Sequence, residues 1–211
     1  KDSLYNEYRL PDGSYRSIPG TLLITAVGMI PDVRRAVTMD LKEPGNPIYA
    51  VGYTRCELGG SCYYSIIGVE GGAIPSVDLK NAKLIMDRIV EAIDLGYVKS
   101  CHDCSEGGLA VALAESSFSG GFGVEVWLSE IPRLDLARDD KILFSESNSR
   151  FIVEVMRGRE DYFEEVFCGL PCRRIGYTTS GSHLVIHGLD GRIYEEDIWR
   201  LKGAWKSTFN W

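Results

Sequence analysis

Hydrophobic and polar positions change period several times along the chain. Leu79, Ala82, Met86, Ile89 and Ile93 recur at helical spacing and Gly96 is placed to end the run, so a helix is predicted over residues 79–95. Residues 109–115, rich in Ala and Leu, predict a second helix, and residues 159–167 a third. Residues 21–27 form a continuous apolar run, the mark of a strand buried on both faces. Shorter apolar or alternating stretches predict strands at 48–52, 98–101, 124–128, 151–155, 173–178 and 183–187. Leu189-Asp190-Gly191-Arg192 reads as a hairpin turn, its Asp-Gly pair supplying the positive φ values required. A closing helix is expected over 195–205, with acidic residues at the positive end of its dipole. Strands and helices interleave, so the class is α/β (α+β) with a mixed sheet. Pro31-Asp32 suggests a break, leaving residues 1–32 as the tail of an earlier domain and 33–211 as the main one.

The 211 residues are 45% hydrophobic and 25% charged, enough apolar material for a substantial core and too much for disorder. No run of 18 apolar residues exists, which excludes a transmembrane helix. The net charge of −7 argues against a general nucleic-acid or anionic-membrane surface, although a local basic pocket can still bind phosphate. The chain opens at Lys1 with neither an initiator Met nor a charged-then-apolar leader, and is expected to be a fragment of something larger.

Six cysteines stand at 56, 62, 101, 104, 168 and 172. Several lie in apolar, strand-like stretches of a chain of this size, which favours reduced thiols and a cytoplasmic location over a disulfide framework. Cys101-x-x-Cys104 with Cys168-x-x-x-Cys172 offers a redox pair or a four-thiolate zinc site, but neither cluster has Gly/Pro-rich knuckle flanks, and buried structural thiols are the preferred reading. His183 and His187 alternate with apolar residues and are read as packing or surface groups.

The stretch with chemistry is Ser100-Cys101-His102-Asp103-Cys104-Ser105-Glu106-Gly107-Gly108-Leu109. A strand delivers Asp103 to its exposed end, Ser105 can cap the following helix, and Gly107 with Gly108 lets backbone approach a ligand. Free amides at a helix start favour phosphate, and a carboxylate just before them suits Mg²⁺, a hard cation held by one or two carboxylates plus phosphate oxygens. The alternative is an ordinary capped helix with an acidic surface loop. Glu106 is a second magnesium ligand or only a favourable first-turn acid, and His102 stays unassigned.

The same stretch, continued as Leu109-Ala110-Val111-Ala112-Leu113-Ala114-Glu115, resembles the His-Asp-x-Ser-Asp-Gly-Gly-Leu motif of the phosphoribosylformylglycinamidine synthase family, within the aminoimidazole-ribotide-synthetase-like ATP-binding superfamily. Lys1-Asp2-Ser3-Leu4-Tyr5-Asn6-Glu7, Leu58-Gly59-Gly60-Ser61, Leu143-Phe144-Ser145-Glu146-Ser147 with Ser149-Arg150, and the closing 199–205 segment agree in the same order. The resemblance implies that residues 1–32 end an A-type domain and 33–211 form the C-terminal B-type domain of a larger synthetase. It implies ATP-dependent amidation of formylglycinamide ribonucleotide, with ammonia from a glutaminase domain or subunit. It matches Asp103 to a magnesium ligand, Ser105 to a contact of ATP or of a structural ADP, Gly107 and Gly108 to the surrounding loop, and Ser3 to a substrate contact. Glu106 departs from the motif's Asp by one methylene, and Lys1-Asp2 replaces Asn-Val. The family's catalytic His and its glutaminase Cys and His lie elsewhere, so no catalytic residue and no complete activity are expected here.

Three alternatives stand beside this reading. One is another ATP-using member of the superfamily: aminoimidazole ribotide synthetase, selenophosphate synthetase, thiamine-phosphate kinase or the hydrogenase-maturation protein. The second is a non-catalytic structural or interaction domain. The third is a cysteine-based redox or zinc module. Leu22, Leu23 and Ile24 are candidates for surface left bare without the rest of the chain, which suggests a homodimer of the fragment.

Overall fold

The computed structural model describes residues 7–17 and 24–207. The chain divides into two units, Lys1–Val33 and Arg34–Trp211. In the first, β1 (Glu7–Arg9) pairs antiparallel with β2 (Tyr15–Ser17). Asp12 shapes the connecting turn by accepting hydrogen bonds from the amide and hydroxyl of Ser14, the short-range bonding that makes Asp a turn residue. The expected buried strand at 21–27 is not found: residues 21–23 lie outside the described set, and 24–27 are irregular and exposed, with Val27 at 92%. An apolar run gains burial only where a partner surface meets it, and among the described residues the first unit brings none to 24–27.

The second unit is built on β3 (Pro47–Val51), α1 (Cys62–Ile67), α2 (Leu79–Asp94), β4 (Val98–Asp103), α3 (Gly108–Gly120), β5 (Gly123–Trp127) and α4 (Asp139–Phe144). It continues with β6 (Phe151–Val155), α5 (Glu160–Val166), β7 (Cys172–Thr179), β8 (His183–His187), β9 (Ile193–Asp197) and α6 (Ile198–Lys206). Its seven strands form one mixed sheet in the order β4-β6-β3-β7-β5-β8-β9. Every pairing is antiparallel except that of β5 with β8.

Strands β3 and β6 are almost wholly apolar because both of their faces are covered, as strand alternation then requires. From β3, Ile48 and Ala50 point to one face, where they meet Leu109, Ala112 and Leu113 of α3, Ile142 of α4 and Ile198 of α6. Tyr49 and Val51 point to the other, against Ile85 and Ile89 of α2 and Phe163 of α5. Burying each of the larger aliphatic and Phe side chains contributes about 1.5–3 kcal/mol. Glu154 of β6 is the exception, fully buried among apolar neighbours. Its carboxylate is satisfied by the amides of Lys42 and Glu43 and by Asn46 Nδ2 at 2.8, 3.1 and 2.7 Å, which fixes the turn that leads into β3.

Two helix expectations shift. In α2 the buried stripe is Ala82, Ile85, Ile89 and Ala92, while Leu79 and Met86 face outward. The spacing was helical, but the packed face sits a fraction of a turn away. Glu195 and Glu196 belong to β9, opposite Val185 and Leu184, and not to the closing helix. The chain enters α6 one residue later, where Asp197 accepts from the amides of Trp199 and Arg200, both at 2.9 Å. A sheet-edge strand exposes one face to water, so its acids mimic a helix's first turn.

Candidate functional site

Strand β4 runs to Asp103, which sits opposite Phe151 of β6 at the end of the ladder. The following residue turns inward: Cys104 is buried, its amide donates to the Arg150 carbonyl at 2.9 Å, and burial pushes its thiol up to about 11. Asp103 and Ser105 therefore project from the same side of the chain end. The Asp103 side chain is 61% exposed. The Ser105 hydroxyl donates to its carboxylate, and this bond, ahead of the neighbouring His102, holds the carboxyl below its ordinary range against a smaller opposing effect of burial. An ionised carboxylate facing solvent is thus in place at position 103.

Gly107 and Gly108 are positioned by packing. Gly107, at φ +79°, stands at the N-cap of α3, and a Cβ there would collide with Val111. Gly108, at φ +66°, lies against the Ser145 carbonyl, where a Cβ has no room. The expectation of free amides at this helix start needs correction at the two glycines. The Gly107 amide donates to Glu146 Oε1 at 2.9 Å and the Gly108 amide to the Ser105 carbonyl at 3.0 Å. Nor does Ser105 cap the helix; α3 has no side-chain cap, and the Ser105 hydroxyl is spent on Asp103. Both corrections have one cause: the tight turn around two positive-φ glycines folds back on itself and on the 145–150 segment.

That segment frames the site. The Ser145 hydroxyl donates to the Arg55 carbonyl at 2.6 Å, and the Ser147 hydroxyl accepts from the Arg55 amide at 3.0 Å. Arg150 is buried, with Nε on the Ser147 carbonyl and Nη1 on Thr54 Oγ1, both at 2.9 Å, and Nη2 on the Ser145 carbonyl. Between this frame and the β4 end lies a cleft of about 570 Å³, lined by Asp103, Ser105, Glu106, Glu146, Asn148 and Arg150 among others. Glu106 is exposed in the turn. Ser3 lies outside the described residues.

Sequence reasoning missed Glu146, Arg150 and Glu115 as parts of this site. Glu146 and Gly107 are 39 positions apart, and only tertiary folding joins them. His102, left unassigned, links Asp103 to the helix layer. Its Nδ1 is 3.4 Å from Asp103 Oδ1, its Nε2 is 2.8 Å from Glu115 Oε2, and Glu115 Oε1 accepts from the Trp205 indole at 2.9 Å. A second hollow of about 420 Å³, mostly apolar, lies between α3, α4 and α6, with Glu115 and Trp205 on its wall. All six cysteines are free thiols, and among the described residues no three His, Cys, Asp or Glu side chains cluster to hold a metal by themselves. No helix is long and apolar enough to cross a membrane among the described residues.

Residues 43–188 match the model of the family described as AIR synthase related protein, C-terminal domain. Phosphoribosylformylglycinamidine synthase subunit PurL of Thermoplasma acidophilum is 35% identical over 204 residues, 97% of this chain and 25% of that protein. The same subunit of Methanothrix thermoacetophila is 38% identical over 209 residues, 97% of this chain and 26% of that one. The chain thus spans about a quarter of the length of these relatives. Among solved structures, T. maritima PurL complexed with FGAR superposes with a TM-score of 0.72 at 20% identity, over 80% of this chain and 30% of that one. T. maritima PurL complexed with ATP gives 0.67 at 20% identity, over 80% and 27%. These likenesses place the fold.

Proposed function

The chain belongs to the family of the AIR synthase related protein, C-terminal domain, and from that premise we propose that it is the C-terminal part of a cytoplasmic phosphoribosylformylglycinamidine synthase that contributes a magnesium-nucleotide site. In this reading residues 1–32 end an A-type domain and 33–211 form the B-type domain. The whole enzyme uses ATP to activate the amide oxygen of formylglycinamide ribonucleotide, and ammonia from a glutaminase domain or subunit displaces phosphate. Ser3 contacts that substrate. This chain alone, lacking the remainder, does not complete the reaction.

The observation that carries the nucleotide reading is the pairing of an ionised, outward-facing Asp103 with the Ser105 hydroxyl at the mouth of a 570 Å³ cleft. One exposed carboxylate suits a cation that keeps its waters and shares phosphate oxygens. Asp103 is the residue that holds Mg²⁺; when bound, the ion offsets phosphate charge. Ser105 orients the Asp103 carboxylate and would offer its oxygen lone pairs to the cation, and Gly107 and Gly108 shape the turn that sets both.

Calorimetric titration of the full-length synthetase with MgADP tests this. Asp103→Ala is expected to weaken binding at this site by roughly tenfold or more, the loss of a charge-assisted contact. Equal binding by parent and variant contradicts it. A second reading, a structural domain with no ligand of its own, is favoured by the internally satisfied amides of Gly107 and Gly108. It requires that the parent bind no nucleotide here.

A further inference from the structure

The Glu146 carboxylate already does for the Gly107 amide what a phosphate oxygen would do. Its Oε1 accepts from the Gly107 amide at 2.9 Å and also from the Cys62 amide at 3.1 Å, tying the start of α3 to the start of α1. We propose that Glu146 is a displaceable internal anion that occupies the phosphate position at Gly107 and must leave it when a nucleotide enters, a reading that rests on the nucleotide site proposed above.

Two observations and a charge argument support displacement over a fixed structural clamp. First, segment 145–150 has anchors besides this side chain. Segment 145–150 is held by the Ser145 and Ser147 hydroxyls on Arg55 and by three donors of the buried Arg150, whereas Glu146 is only half-buried and lines the cleft. Second, the cleft is negative as it stands. Asp103, Glu106 and Glu146 all line it, and the guanidinium of Arg150, its basic lining residue, is engaged by two carbonyls and a hydroxyl. The Cys62 thiol, at the same helix junction, is pushed up by burial and then by Glu146 and Glu106. Third, a polyphosphate placed beside Asp103 and Ser105 meets a like charge at Glu146 and competes with it for one amide. Movement of Glu146 removes the repulsion and frees that amide in a single step. The arrangement sets nucleotide affinity: the unliganded turn is held by the protein's own carboxylate, and a ligand binds only by outcompeting it.

Because one oxygen serves both amides, displacement has a signature that a clamp lacks. Hydrogen exchange on the full-length synthetase, with and without MgADP, is expected to show Gly107 protected in both states and Cys62 exchanging faster with nucleotide bound. In parallel, Glu146→Gln, which keeps the shape but is a weaker acceptor without charge, is expected to bind MgADP about tenfold more tightly than the parent. Cys62 staying protected in the complex, or Glu146→Gln binding no tighter, overturns the proposal while leaving the nucleotide site standing. Absence of MgADP binding by the parent, or undiminished binding by Asp103→Ala, overturns the nucleotide reading and this inference with it.

Discussion

At residue scale, the chemistry turns on how one hydroxyl and two glycines set a carboxylate. Ser105 donates to Asp103 and is the largest influence lowering its carboxyl. Ser105→Ala is expected to raise the Asp103 value back toward 3.8, read by carbon NMR of the carboxyl during an acid titration. Since the folded value lies below the ordinary one, the stabilisation from this pair is fully present above pH 3.8 and fades as pH falls through the folded value. An Asp103 that titrates identically in both proteins would show that the hydroxyl does not hold it. Gly108 is constrained twice, by φ +66° and by the Ser145 carbonyl where a Cβ would stand. Gly108→Ala is expected to lose about 2–4 kcal/mol in urea unfolding, combining left-handed strain with a backbone clash. A loss within about 0.5 kcal/mol, typical of unconstrained surface positions, would contradict that account.

At the scale of elements, helix ends and sheet edges decide what can be read ahead of the structure. Asp197 closes β9 and caps α6 through two amides. Asp197→Ala should cost about 1 kcal/mol in thermal or chemical unfolding, and no measurable loss would remove the cap from the account. This junction also shows why the acids at 195 and 196 were assigned to the wrong element: strand edge and helix first turn favour the same residues. Buried strands such as Ile48-Tyr49-Ala50-Val51 and Phe151-Ile152-Val153-Glu154-Val155 were legible because their apolar content follows directly from coverage on both faces. Helices α1 and α4, six residues each, were not, since a run shorter than two turns shows no period. In the site, Asp103, Ser105 and the paired glycines were visible as a local motif. Glu146 and Arg150 were not visible as partners, because their bonds to Gly107 and Thr54 close long loops that a linear pattern does not encode.

At the scale of the whole molecule, the sheet places the β4 end, the turn before α3 and the 145–150 segment around one cleft, and the chain covers about a quarter of the relatives it matches. On the proposed function the purified 211-residue chain is expected to show no ATP-dependent amidation of formylglycinamide ribonucleotide, measured by phosphate release with ammonia supplied directly. Turnover by the chain alone would refute its role as a contributing part. The most direct test of the central claim, that Asp103 holds a divalent ion against a polyphosphate, is phosphorus NMR relaxation of ADP bound to the full-length synthetase with Mn²⁺ in place of Mg²⁺. The account predicts strong paramagnetic broadening at this site in the parent and its loss in Asp103→Asn; unchanged broadening in the variant would contradict it.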